Sequence, residues 1–178
     1  MILRLSQKLA TKVKAGPLST LPLDVNPLAD WSAHLFTYER TQYILLSNTK
    51  SLYSTVMMGR GITDTCDLID GVVTAIRDSL QSDGHDQTFR RFIAPHSANV
   101  QLAKALNRSV IGSMNDFVFQ AKIYLQFHQN PPFAIGSELN DAPMSALSSK
   151  TSAKYGYPRQ SFNDLVECRA KNASLRES

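Results

Sequence analysis

Cysteine is scarce in this sequence of 178 residues, and the two present, Cys66 and Cys168, stand too far apart for a disulfide framework or a paired-thiolate metal site. A reducing, cytoplasmic setting is therefore expected. Eight glycines and eight prolines are too few for a collagen-like or low-complexity chain. Apolar residues at 43% against charged residues at 19% exclude a mostly disordered one. No stretch approaches the roughly 18 consecutive apolar residues of a membrane span. The opening Met1-Ile2-Leu3-Arg4-Leu5-Ser6 also lacks the apolar run of a secretion signal, so no membrane partner is expected.

Catalytic signatures are missing too. There is no Walker loop, HExxH, GxSxG, CxxC or GxGxxG. Gly59-Arg60-Gly61 comes nearest to a phosphate loop, but it lacks the lysine and the spacing and reads as a strand-to-helix turn. His34, His85, His96 and His128 share no helical spacing, so neither a metal nor a cofactor is expected. His34 reads most simply as a strand residue with one nitrogen satisfied.

What is present is an uneven charge. The net value is +4, yet residues 1–22 carry Arg4, Lys8, Lys12 and Lys14 and no acid. From residue 150 onward six basic residues face three acids, which leaves nine basic and twelve acidic residues between. Basic ends flanking an acidic body suit nucleic acid. They equally suit the solvated termini of a small domain.

Periodicity predicts an α+β domain over residues 1–158 with a short helical or frayed tail over 159–178. A first strand covers Met1 to Leu5, a short helix follows to Lys14, and Pro17, Pro22 and Pro27 space out an extended connector. Three β-rich runs between Trp31 and Met58 predict an antiparallel meander. In the first run Ala33 and Leu35 alternate with His34 and Phe36, so both faces of that strand should be covered. Two main helices are expected to pack on the sheet, at about 64–82 and 109–128. The first is capped by Thr63 or Asp64 and turns Cys66, Ile69, Val73, Ile76 and Leu80 inward. The second carries the stripe Val110, Met114, Phe117, Val118, Ala121, Tyr124 and Leu125, with Ser113 and Asp116 on the far side. Phe89 to Ile93 and Val100 to Ala105 read as strands, Phe133 to Ser148 as irregular, Ser148 to Lys154 as a loop, and 161–171 as a last helix.

The candidate site residues are Arg90, Arg91 and His96 in one segment and Lys104, Asn107, Arg108, Ser109 and Ser113 in another. Asn107 or Ser109 caps the second main helix. Its unpaired N–H groups, with Arg108 beside them, would favour an anion. Asn and Ser are also ordinary caps, and Arg108 also suits an ion pair with a neighbouring acid.

Arg4-Leu5-Ser6-Gln7-Lys8-Leu9, Asp30-Trp31-Ser32-Ala33-His34-Leu35-Phe36, Arg40 to Asn48, Ser51-Leu52-Tyr53-Ser54 and Asn107 to Asp116 together resemble an uncharacterised bacterial domain family of unknown function, over roughly residues 1–150. The resemblance implies a bacterial, intracellular protein and transfers no activity. Two functional readings follow. One is a non-catalytic accessory or regulatory module that contacts a protein or a nucleic acid. The other is a small metal-independent enzyme, a nuclease or nucleotide hydrolase, in which His96 supplies acid-base chemistry and the arginines stabilise developing charge.

Overall fold

The computed structural model describes residues 1–128, 131–147 and 155–174. The expected loop from Ser148 to Lys154 and the last four residues of the tail lie outside these. In chain order the strands are β1 (Ile2–Leu5), β2 (Asp30–Tyr38), β3 (Thr41–Asn48), β4 (Ser54–Met58) and β5 (Gln101–Lys104). The helices are α1 (Gln7–Lys12), α2 (Thr65–Ser82), α3 (Asp86–Thr88), α4 (Ala94–Ser97), α5 (Arg108–His128), α6 (Pro132–Asn140) and α7 (Pro158–Ser174).

The fold is α+β, and its sheet is mixed. The strand order is β4-β3-β2-β1-β5. β2, β3 and β4 are antiparallel neighbours, whereas β1 pairs parallel with both β2 and β5. The expectation of an antiparallel sheet fails at β1. A four-residue strand carries no mark of its partner, and both partners lie far along the chain. Tyr38 pairs with Thr41, so the β2–β3 turn is the two residues Glu39 and Arg40, both at positive φ.

Alternation sends the sheet's side chains into two apolar clusters. Leu3, Leu5, Trp31, Ala33, Leu35, Ile44 and Leu46 meet Leu9 of α1, the inner face of α2 and Phe162 of α7. Phe36, Leu45 and Val56 point the other way, onto Val110, Met114, Phe117 and Ala121 of α5 and Ile135 and Leu139 of α6. Each large side chain so buried contributes about 1.5–3 kcal/mol, and helices on both faces turn the sheet into the middle layer.

Several local expectations need correction. α2 is capped by Asp64, which accepts from Cys66 N and Asp67 N, and it buries Leu68, Val72, Ile76 and Leu80. Cys66 is exposed. The straight i, i+4 row faces the sheet because it alone is unbroken over four turns. Phe89 to Ile93 is a π-helical turn joining α3 to α4. Phe89, Phe92 and Ile93 are buried there, at helical spacing. Pro132 opens α6, which runs through Asn140 into the segment expected to be irregular, and a proline at the first helical position is an ordinary start signal. Ser113 is buried, because it stands three after Val110 and four before Phe117 of the inward face.

One buried ion pair ties the connector to the sheet. Arg4 Nε donates to Asp30 Oδ1 at 2.8 Å and Nη2 donates to Oδ2 at 2.7 Å, with both side chains fully buried. The remaining guanidinium donors reach the Leu21 and Pro22 carbonyls at 2.9 and 2.7 Å. Asp24 N donates to Asp30 Oδ2 at 3.0 Å.

Candidate functional site: a basic groove between two helices

The groove begins where β1 ends. Ser6 caps α1 by accepting from Leu9 N at 3.4 Å, and Ser6 N donates to Ala33 O at 2.9 Å. The first turn of α1 is thereby fixed beside β2. A cavity of about 430 Å³ lies over this junction, lined by Ser6, Gln7, Lys8, Ser32 and His34 on one side and by Val110, Ile111, Met114 and Asn115 of α5 on the other. A second cavity of about 690 Å³ continues along β2, lined by Gln7, Lys8, Thr11, Lys12, His34, Gln42, Val118 and Lys122. Gln7, Lys8 and His34 belong to both, so the two form one groove between α1 and α5. It opens at the carboxyl ends of the parallel strands β1 and β5, the position where open sheets with parallel strands hold ligands.

Its charge is of one sign. Lys8, Lys12 and Lys122 line it and no carboxylate does. Lys12 Nζ is steadied by Gln42 Oε1 at 2.7 Å. Arg4 at the floor is already committed to Asp30. Burial, with the Lys8 charge adding to it, holds the His34 imidazole below its ordinary titration range. The two serine hydroxyls are engaged in structure: Ser6 Oγ with Leu9 N and Leu35 N, and Ser32 Oγ with Thr49 Oγ1 at 2.9 Å. A neutral imidazole among ammonium groups, with hydroxyls otherwise occupied, suits holding an anion more than attacking one.

The eight residues singled out from the sequence separate into two regions. Asn107 caps α5 through Val110 N at 3.0 Å, and Arg108 and Ser109 are exposed in the first turn. Lys104 is exposed at the end of β5. These four flank Ala105 and Val110, which line the groove. Arg90 pairs with Asp86 at 2.8 Å on the surface, and the Arg91 guanidinium lies 5.4 Å from the centre of the Phe92 ring. The His96 carbonyl accepts from the Met1 amino group at 3.1 Å. Met1 precedes β1, whereas Asn107 follows β5, which runs parallel to it. His96 and Asn107 therefore stand at opposite ends of strands about 13 Å long. Sequence reading passed over His34, Lys8, Lys12 and Lys122 as site residues. The i, i+4 pair Lys8 and Lys12 was visible, but only the parallel β1–β2 pairing brings it to His34.

Among the described residues no three His, Cys, Asp or Glu side chains gather in a way that could hold a metal ion, and no helix is long and apolar enough to cross a membrane.

A mixed sheet between two helical layers, with a basic groove on one face, is thus the class of structure in hand. Residues 2–161 match the family described as Domain of unknown function (DUF6933), and the chain belongs to that family. No curated protein and no solved structure matches it.

Proposed function

We propose that this protein is a non-catalytic binding module that takes the phosphate backbone of a nucleic acid in the groove between α1 and α5. The observation that carries the reading is the lining itself: three lysines, one histidine and no carboxylate, in a chain whose middle segment is net acidic. Phosphate contacts from lysine give affinity without a defined base code, and such a groove needs no nucleophile. The distance between His96 and Arg108 along the sheet supports binding over the metal-independent enzyme, which needs both at one reacting centre.

Fluorescence anisotropy with a short labelled oligonucleotide, single-stranded and duplex, across a salt series tests this. Binding should weaken linearly with log salt, and each of Lys8→Ala, Lys12→Ala and Lys122→Ala should reduce the slope by about 1 while leaving the melting temperature in place. Slopes unchanged in all three variants, or no binding at low salt, would remove the groove from function.

A further inference from the structure

Resting on the phosphate-binding reading of the groove between α1 and α5, we propose that its nucleic acid is single-stranded and that one base stacks on the ring of Phe119. Phe119 is 67% exposed, and its place on α5 ties it to the groove. Each helical step turns about 100°, so Asn115 stands about 40° and Lys122 about 60° to one side of Phe119. Val118 lies on that side too, and all three line the groove. Long helical side chains lean toward the N-terminus, which carries the ring over the turn of Asn115. Phe119 is therefore the lip of the groove. Asp116, the acid of α5, stands about 60° to the other side, away from the lysines.

The two walls offer different chemistry. Lys8 and Lys12 of α1, about 6 Å apart along that helix, supply cations for phosphates. α5 supplies Lys122 and, within a turn of it, an aromatic face open to solvent. A duplex keeps the faces of its bases inside its own stack, so it gains from the lysines alone. A single strand presents those faces and gains from lysines and ring together. Every base has such a face, so stacking adds affinity without adding a base code.

Phe119 belongs to an exposed row of α5 that also holds Ile111, Ile123 and Phe127, each a multiple of four positions away. A protein lying along the helix would cover the whole row. Asn115 breaks that row with an exposed amide, and Lys122 borders it with a charge, which favours a base at the lip over an apolar partner along the helix. Phe127 supplies a matched control. It is 69% exposed, but it stands about 80° from Phe119 on the side of Asp116, turned away from the groove.

The probes are a labelled oligothymidylate and a mixed-sequence duplex of the same length, titrated against the full chain by fluorescence anisotropy. Phe119→Ala should weaken the oligothymidylate about fivefold or more, leave the duplex as it was, and leave the salt slope in place because no charge is removed. Phe127→Ala should change neither probe. Phe119→Trp should keep single-strand binding, and its indole should be quenched by the oligothymidylate but not by the duplex, against the constant signal of the fully buried Trp31. Undiminished single-strand binding by Phe119→Ala, equal losses in Phe119→Ala and Phe127→Ala, or an equal loss for the duplex would overturn the proposal. So would a dimer in sedimentation that Phe119→Ala splits, which would assign the row to a second copy of the chain. In each of these cases reduced salt slopes in the lysine variants would leave the groove's phosphate binding standing, whereas no binding of either probe would remove both.

Discussion

Arg4 and Asp30 face each other as a two-bond fork inside the protein, and every strong donor of the guanidinium is satisfied, two of them by the carbonyls of the proline-spaced connector. A buried pair of this kind is costly to break from one side, because the survivor keeps its charge and loses its partner. Asp30→Asn and Arg4→Met should each destabilise the protein by about 3–5 kcal/mol in urea unfolding. The connector should also become sensitive to protease at Leu21 to Asp24. A loss below about 1 kcal/mol would mean that the pair is no stronger than a surface bridge.

The β2–β3 turn is built from residues poorly suited to it. Glu39 and Arg40 hold φ values of 44° and 63°, the left-handed region that a two-residue hairpin requires and that a side chain resists. Replacing the pair by Asn-Gly should stabilise the protein by about 1 kcal/mol, read as a higher melting temperature with an unchanged denaturant slope. A lower melting temperature would show that the Glu39 or Arg40 side chain contributes more than the turn costs.

How far the fold was legible follows from the range over which each signal acts. The β2–β3–β4 meander and the α5 stripe are local patterns, visible in alternation and in i, i+3, i+4 spacing. The π-helical turn was misread because Phe89, Phe92 and Ile93 are β-formers by type although helical by spacing. Phe133 to Asn140 is helical although it reads as irregular, because Pro132 stands at the first helical position and starts α6. The groove was the least legible feature. Lys8 and Lys12 are basic residues beside Leu9 and Val13, and His34 sits in a strand, so nothing in their own neighbourhoods joins them. Parallel pairing of β1 with β2 does so, and that is a long-range outcome.

Beyond the family match, which ends at Ser161, α7 continues and delivers Phe162 into the core with no exposure. Its ring lies 4.6 Å from that of Tyr53 and 5.5 Å from that of His85. Arg159 fixes the start of the helix by pairing with Asp83 and Asp141. Asp83 also accepts from the Tyr53 hydroxyl at 2.6 Å, and burial together with that bond raises the phenol well above its ordinary range. Phe162→Ala should therefore cost about 3–5 kcal/mol. Unfolding followed by tyrosine fluorescence and by helical circular dichroism should remain coincident in the unsubstituted chain. Separate transitions would show that α7 melts independently of the sheet.

His34 supplies the prediction on pH. Its folded-state pKa lies below the ordinary value, first because it is partly buried and second because Lys8 is near. Between that lowered value and about 6.5 the unfolded chain binds the proton more readily than the folded one, so stability rises with pH. The contribution is complete above about pH 6.5 and is lost as pH falls through the folded value. Binding of an anion has the opposite sign. A phosphate beside the ring favours imidazolium, so the complex takes up a proton and affinity should increase as pH falls below about 6.5. The other charged groups along the groove are Arg4 at its floor, Lys8 and Lys12 of α1 and Lys122 of α5. His34→Gln should accordingly flatten both profiles, melting temperature against pH and oligonucleotide affinity against pH. If the affinity profile of the unsubstituted protein is already flat while its stability falls in acid, the anion sits away from His34 and the lysines hold it alone.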